Sequence, residues 1–110
     1  MNEMTSAKDK IEEMIRRIVA KFDPEKIILF GSHARGEAGP ESDADLLVVM
    51  RYSGSRRKQA TEIDLALWGI DLAADILVYS PEEIERYRNL IGTIIHPALR
   101  EGKVVYDRAA

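Results

Sequence analysis

Apolar residues recur at helical spacing through Ile11, Met14, Ile15, Ile18, Val19 and Phe22, and then give way to the unbroken run KIILF at Lys26–Phe30. The first pattern predicts an amphipathic helix capped by Thr5 or Ser6, and the second a short buried strand closed by Gly31. Asp23-Pro24 ends the helix, because the residue before a proline avoids the α region. Ala34-Arg35-Gly36 reads as one helical turn, followed by a polar loop containing Gly39, Pro40 and Ser42. Residues 43–50, DADLLVVM, read as a second strand whose apolar end is continuous enough to be covered on both faces.

A basic loop over 51–58 leads into a helix running to about Trp68, with Ala60, Ile63, Leu67 and Ile70 inward. Residues 74–79, ADILVY, give a third strand. Ser80-Pro81-Glu82-Glu83 then opens the next helix, with serine as cap, proline in the first turn and a glutamate placed to reach back. That helix is expected to run to about Ile91 or beyond, with His96-Pro97 interrupting it and Gly102 ending it. Residues 103–106 form a short edge strand. Without repeats, low-complexity tracts or a linker, residues 1–110 read as one α/β domain.

Composition narrows the function classes. A net charge of −3 argues against holding nucleic acid by bulk electrostatics. The absence of cysteine excludes disulfides, thiolate metal sites and cysteine nucleophiles. No apolar run approaches the roughly 20 residues that span a bilayer, and the N-terminal segment lacks the apolar stretch of a signal peptide. A cytoplasmic protein is the expectation.

The chemistry concentrates between Gly31 and Asp45, where a Gly-Ser pair is followed by ten residues and then Asp43-Ala44-Asp45. A glycine after a strand lets a phosphate approach without a Cβ in the way, and Ser32 with the amides beyond it can donate to phosphate oxygens. Arg35, one turn later, offers a forked cationic contact. Asp43 and Asp45 share one face of their strand, where they repel unless a cation is present. The competing structural account has Asp43 capping the loop and Asp45 accepting backbone N–H groups. Asp75 opens the third strand in apolar surroundings, and it can face the other two if the second and third strands are neighbours. Three carboxylates could then cradle two Mg²⁺ ions about 3.5–4 Å apart for in-line phosphoryl or nucleotidyl displacement. Asp64 and Asp71 are rival third acids.

GSHARG, SDADLLV and the later strand aspartate resemble the minimal nucleotidyltransferases of the DNA polymerase beta superfamily, whose Gly-Ser, ten-residue gap and Asp-x-Asp match residues 31–45 without a break. The resemblance implies the α/β nucleotidyltransferase fold, a small mixed β-sheet of three to four strands flanked by about four helices. It implies Gly31 and Ser32 at the triphosphate, and Asp43, Asp45 and Asp75 as catalytic, metal-binding residues for Mg²⁺ with ATP as substrate. It also implies transfer of AMP to an acceptor hydroxyl, a tyrosine of a HEPN-type helical toxin for which the transferase is the antitoxin. His33 departs from the arginine frequent at that position.

The rival reading is a non-catalytic antitoxin, a partner-binding subunit with a vestigial nucleotide site. His33 is left between a phosphate contact and a solvent-facing turn, and His96 is read as structural. Arg51, Arg56, Arg57 and Lys58 are read as a mobile solvated loop, and Trp68 with Leu65 and Leu67 as core or a subunit contact. A homo-oligomer stays open.

Overall fold

Four strands form one sheet: β1 (Lys26–Phe30), β2 (Ala44–Val49), β3 (Ala74–Tyr79) and β4 (Lys103–Asp107), in the order β3-β2-β1-β4. The computed structural model describes residues 6–39, 41–90, 92 and 95–110. β1 runs antiparallel to both β2 and β4, whereas β2 and β3 run parallel. A parallel pair needs a crossover, and α3 (Arg56–Ala66) supplies it. The other helices are α1 (Ala7–Phe22), α2 (Ser32–Arg35), α4 (Pro81–Tyr87) and α5 (Ile95–Glu101). The mixed sheet flanked by helices is as expected, with five helices among the described residues.

Alternation along β2 separates two cores. Ala44, Leu46 and Val48 pack with Ile11, Met14 and Ile18 of α1 and Ile63 of α3. Leu47 and Val49 face the other way, among Ile28, Phe30 and the α5 residues Ile95 and Ala98, with Ile84 and Tyr87 of α4 alongside. Both faces of β2 are therefore covered, which is why its sequence is apolar without alternation. Asp45 belongs by parity to the face carrying Leu47 and Val49.

Several local expectations hold and others shift. Ser6 caps α1 through a bond from the Asp9 amide, and the alternative cap, Thr5, lies outside the described residues. α1 ends on Asp23 in the left-handed conformation, φ 49°, with its amide bonded to Val19 O. The capping box at Ser80 and Glu83 is complete, but α4 stops at Tyr87; Ile91 lies outside the described residues. His96-Pro97 does not interrupt a helix: both residues lie in the first turn of α5, where a missing N–H breaks no intrahelical bond.

Trp68 is not core. It is 83% exposed, beside Leu65 at 66%. Arg56 and Lys58 belong to α3 rather than to a loop. Among the described residues no helix is long and apolar enough to cross a membrane.

Candidate active site

β1 leaves the sheet at Phe30, whose partner across the antiparallel pair is Asp45. The chain must turn there, and Gly31 does so with φ 75° and ψ −156°, a region open essentially to glycine alone. The turn passes directly beneath the Asp45 carboxylate, so a Cβ at position 31 would overlap Asp45 Oδ2. Gly31 is thus required twice, by its backbone angles and by the acid packed on its Cα. Ser32 follows as the first residue of α2.

The parallel register of β2 and β3 sets Asp45 directly opposite Asp75, and partners in register present their side chains to the same face. Asp43, just before the first residue of β2, lies near enough for its charge to act on Asp45. Asp43 and Asp75 are exposed and Asp45 is half-buried. Among the described residues no hydrogen bond or ion pair engages any of the three carboxylates. The structural account of Asp45 accepting backbone N–H groups therefore has no bond behind it. The apolar surroundings of Asp75 in the sequence do not translate into burial either, because this residue lies exposed on an edge strand. Mutual repulsion supplies the argument instead. Burial pushes the Asp45 carboxyl above its ordinary range, and Asp75 and then Asp43 push it further, against the opposing charges of His33 and Arg35.

The cations around the acids are partly taken. Arg35 Nε donates to Glu37 Oε1 at 2.8 Å, and its Nη1 lies 3.9 Å from Glu101 Oε1 at the end of α5. His33 Nε2 is 2.9 Å from the Ser42 carbonyl oxygen. The rival acids stay outside the cluster: Asp64 is exposed on α3, and Asp71 lies 3.9 Å from Lys10.

Three carboxylates with no ion pair among the described residues suit a hard divalent cation, which prefers oxygen ligands. Among the described residues no three acids or histidines are gathered tightly enough to hold a metal as they stand, so ligation would require the side chains to draw together. Asp43, Asp45, Asp75 and Gly31 are brought to one end of the sheet, with Ser32 beside them. Arg35 reaches the periphery in a bond with Glu37. The His33–Ser42 contact and the acids around Arg35 were not read from the sequence, since no local pattern marks them.

The sequence profile of the nucleotidyltransferase domain family matches residues 11–106, from α1 to the edge strand. The chain belongs to this family. This nucleotidyltransferase is 31% identical over 107 residues to a Methanocaldococcus jannaschii protein named "Putative protein adenylyltransferase", a match covering 89% of this chain and 70% of that one. Its fold resembles the crystal structure of a "putative nucleotidyltransferase" from Sulfolobus solfataricus, with TM-score 0.63 and 19% identity over 91% of this chain and 79% of the other. It also resembles a chain in the crystal structure of a toxin-antitoxin with AMP-PNP, with TM-score 0.56 and 22% identity over 93% and 74%. The chain is a minimal nucleotidyltransferase with the fold of those structures.

Proposed function

We propose that this nucleotidyltransferase moves AMP from ATP to an acceptor hydroxyl, a tyrosine of a HEPN-type helical toxin, and so acts as its antitoxin in the cytoplasm. The observation that carries the reading is the register of Asp45 with Asp75 beside the Gly31 turn. The relative named as a protein adenylyltransferase supports a protein acceptor, and the fold shared with a toxin-antitoxin structure supports a toxin.

Gly31 lets the chain turn beneath the Asp45 carboxylate into α2, and the Ser32 hydroxyl beyond it donates to the triphosphate oxygens. Arg35 adds positive charge at the rim once it exchanges Glu37 for phosphate. Asp43, Asp45 and Asp75 would hold two Mg²⁺ ions, which supply charge neutralisation for the phosphates when bound. Asp75, the outermost acid, orients the acceptor hydroxyl and takes its proton. The acceptor oxygen forms its bond to the α-phosphorus as the bond to the bridging oxygen breaks, and pyrophosphate leaves.

The test is label transfer from α-labelled ATP to a co-purified partner. Wild type is expected to label the partner, and Asp45→Asn to lose transfer by at least about a thousandfold. Wild-type transfer by Asp43→Asn, Asp45→Asn and Asp75→Asn alike would end the proposal. The spread of the three acids favours a second reading, a partner-binding antitoxin without chemistry. That reading expects the Asp45→Asn protein to neutralise its partner fully with no label transferred by either form.

A further inference from the structure

Asp43 precedes the first ladder residue of β2, so the strand alone does not fix it. Two anchors bracket it. On one side the Ala44 amide donates to Ala73 O at 2.9 Å. On the other side the Ser42 carbonyl meets His33 Nε2 at 2.9 Å. A carbonyl oxygen can only accept, so Nε2 carries the hydrogen. Ser42 is itself tied to Gly39, its amide donating to Gly39 O at 3.2 Å and its hydroxyl accepting from the Gly39 amide at 2.9 Å. The imidazole is half-buried, and it lines a groove of about 470 Å³ with Ile11, Ile15, Leu29 and Val105. The bond between ring and carbonyl is what sets where the Ser42 carbonyl settles relative to the turn.

We propose that His33 is a positioning residue that ties the Gly31-Ser32 turn to the loop in front of Asp43, setting the distance between the two halves of the site. The inference rests on the nucleotidyltransferase reading above. It gives His33 neither a phosphate contact nor a free position in solvent. Its Nε2–H faces a backbone carbonyl, which no phosphate replaces without releasing the loop. Catalytic groups held about 1 Å out of place cost on the order of a hundredfold in rate, whereas triphosphate affinity depends mainly on groups the tie does not touch.

The test compares His33→Leu, which fills the volume without a donor, with His33→Gln, whose amide reaches to the same place. Single-turnover label transfer to the partner is measured over a range of ATP concentrations, with hydrogen exchange of segment 37–45 followed in the unliganded protein. His33→Leu is expected to lower the transfer rate by about ten- to a hundredfold, with half-saturating ATP within about threefold of wild type. Exchange in 37–45 should accelerate in the same variant while Tm stays within a few degrees. His33→Gln should restore both rate and protection. Unchanged rate and exchange in His33→Leu would overturn the proposal, as would equal impairment in both variants. A rise confined to half-saturating ATP would overturn it in favour of a direct nucleotide contact. Absence of transfer by wild type would remove the functional reading, and the exchange contrast would still decide whether the tie exists.

Discussion

Burial raises the Asp45 carboxyl above its ordinary value of 3.8, and the like charges of Asp75 and Asp43 raise it further. An acid whose folded pKa lies above its unfolded value takes up protons on folding. Its contribution to stability is present below the unfolded value and is lost as pH rises through the folded one. At neutral pH the ionised Asp45 therefore works against the fold unless a cation is bound. Asp45→Asn should raise the thermal midpoint at pH 7 in chelator while abolishing transfer, and the stability gain should vanish below pH ~3.8. Thermal unfolding at both pH values checks this, and a variant less stable than wild type at pH 7 would contradict it. Gly31→Ala acts in the opposite sense. The added Cβ meets Asp45 Oδ2 and the backbone holds φ 75°, so urea unfolding should show a loss of about 1–3 kcal/mol together with loss of activity.

At the start of α4, Glu83 performs two jobs from one position. Its carboxylate accepts from the Ser80 amide at 2.8 Å, closing the capping box. It also accepts from Arg56 Nη2 at 2.6 Å and from the Tyr52 hydroxyl at 2.9 Å, while the Arg56 guanidinium lies 4.0 Å over the Tyr79 ring. Burial pushes the Glu83 carboxyl up, but the bonds from Ser80, Tyr52 and Arg56 outweigh it and the net shift is downward. The stabilisation is thus present above pH ~4.5 and disappears as pH falls through the lower folded value. Glu83→Ala should cost about 2 kcal/mol at pH 7, roughly half from the cap and half from a partly exposed ion pair, and less in acid. Urea unfolding at pH 7 and pH 3 measures both, and equal losses at the two pH values would assign the effect to packing. The cap was legible because Ser80, Pro81 and Glu83 are neighbours with known offsets. Arg56 was misread as part of a solvated loop because its partners, Tyr79 and Glu83, lie far along the chain and meet it only through the β3–α4 junction.

Across the molecule, what could be read from the sequence follows the range of the interactions. Gly31 follows β1 and Asp45 lies on β2, the antiparallel neighbour of β1, so both belong to one contiguous motif. Asp75 lies on the far side of the α3 crossover, and its facing Asp45 was conditional until the parallel register was known. The apolar run around Asp75 suggested burial, but an edge strand leaves that side chain exposed, and same-face repulsion supplies the need for a cation instead. That need yields a test on the intact chain which requires no acceptor. A ligand that binds only the folded state stabilises it by about 2.7 kcal/mol at a hundred times its Kd. For a domain near this size that corresponds to roughly 10 °C or more in Tm, at about 4–8 °C per kcal/mol. Mn²⁺ with a non-hydrolysable ATP analogue should produce such a shift in wild type, reversed by chelator, and Asp45→Asn should lose its metal-dependent part. Monovalent salt also weakens repulsion among the three acids, since the Debye length is about 8 Å at 0.15 M ionic strength. The comparison is therefore made at matched ionic strength. A shift that sodium chloride reproduces would mean that screening alone relieves the trio, and would leave Asp43, Asp45 and Asp75 without a metal to hold.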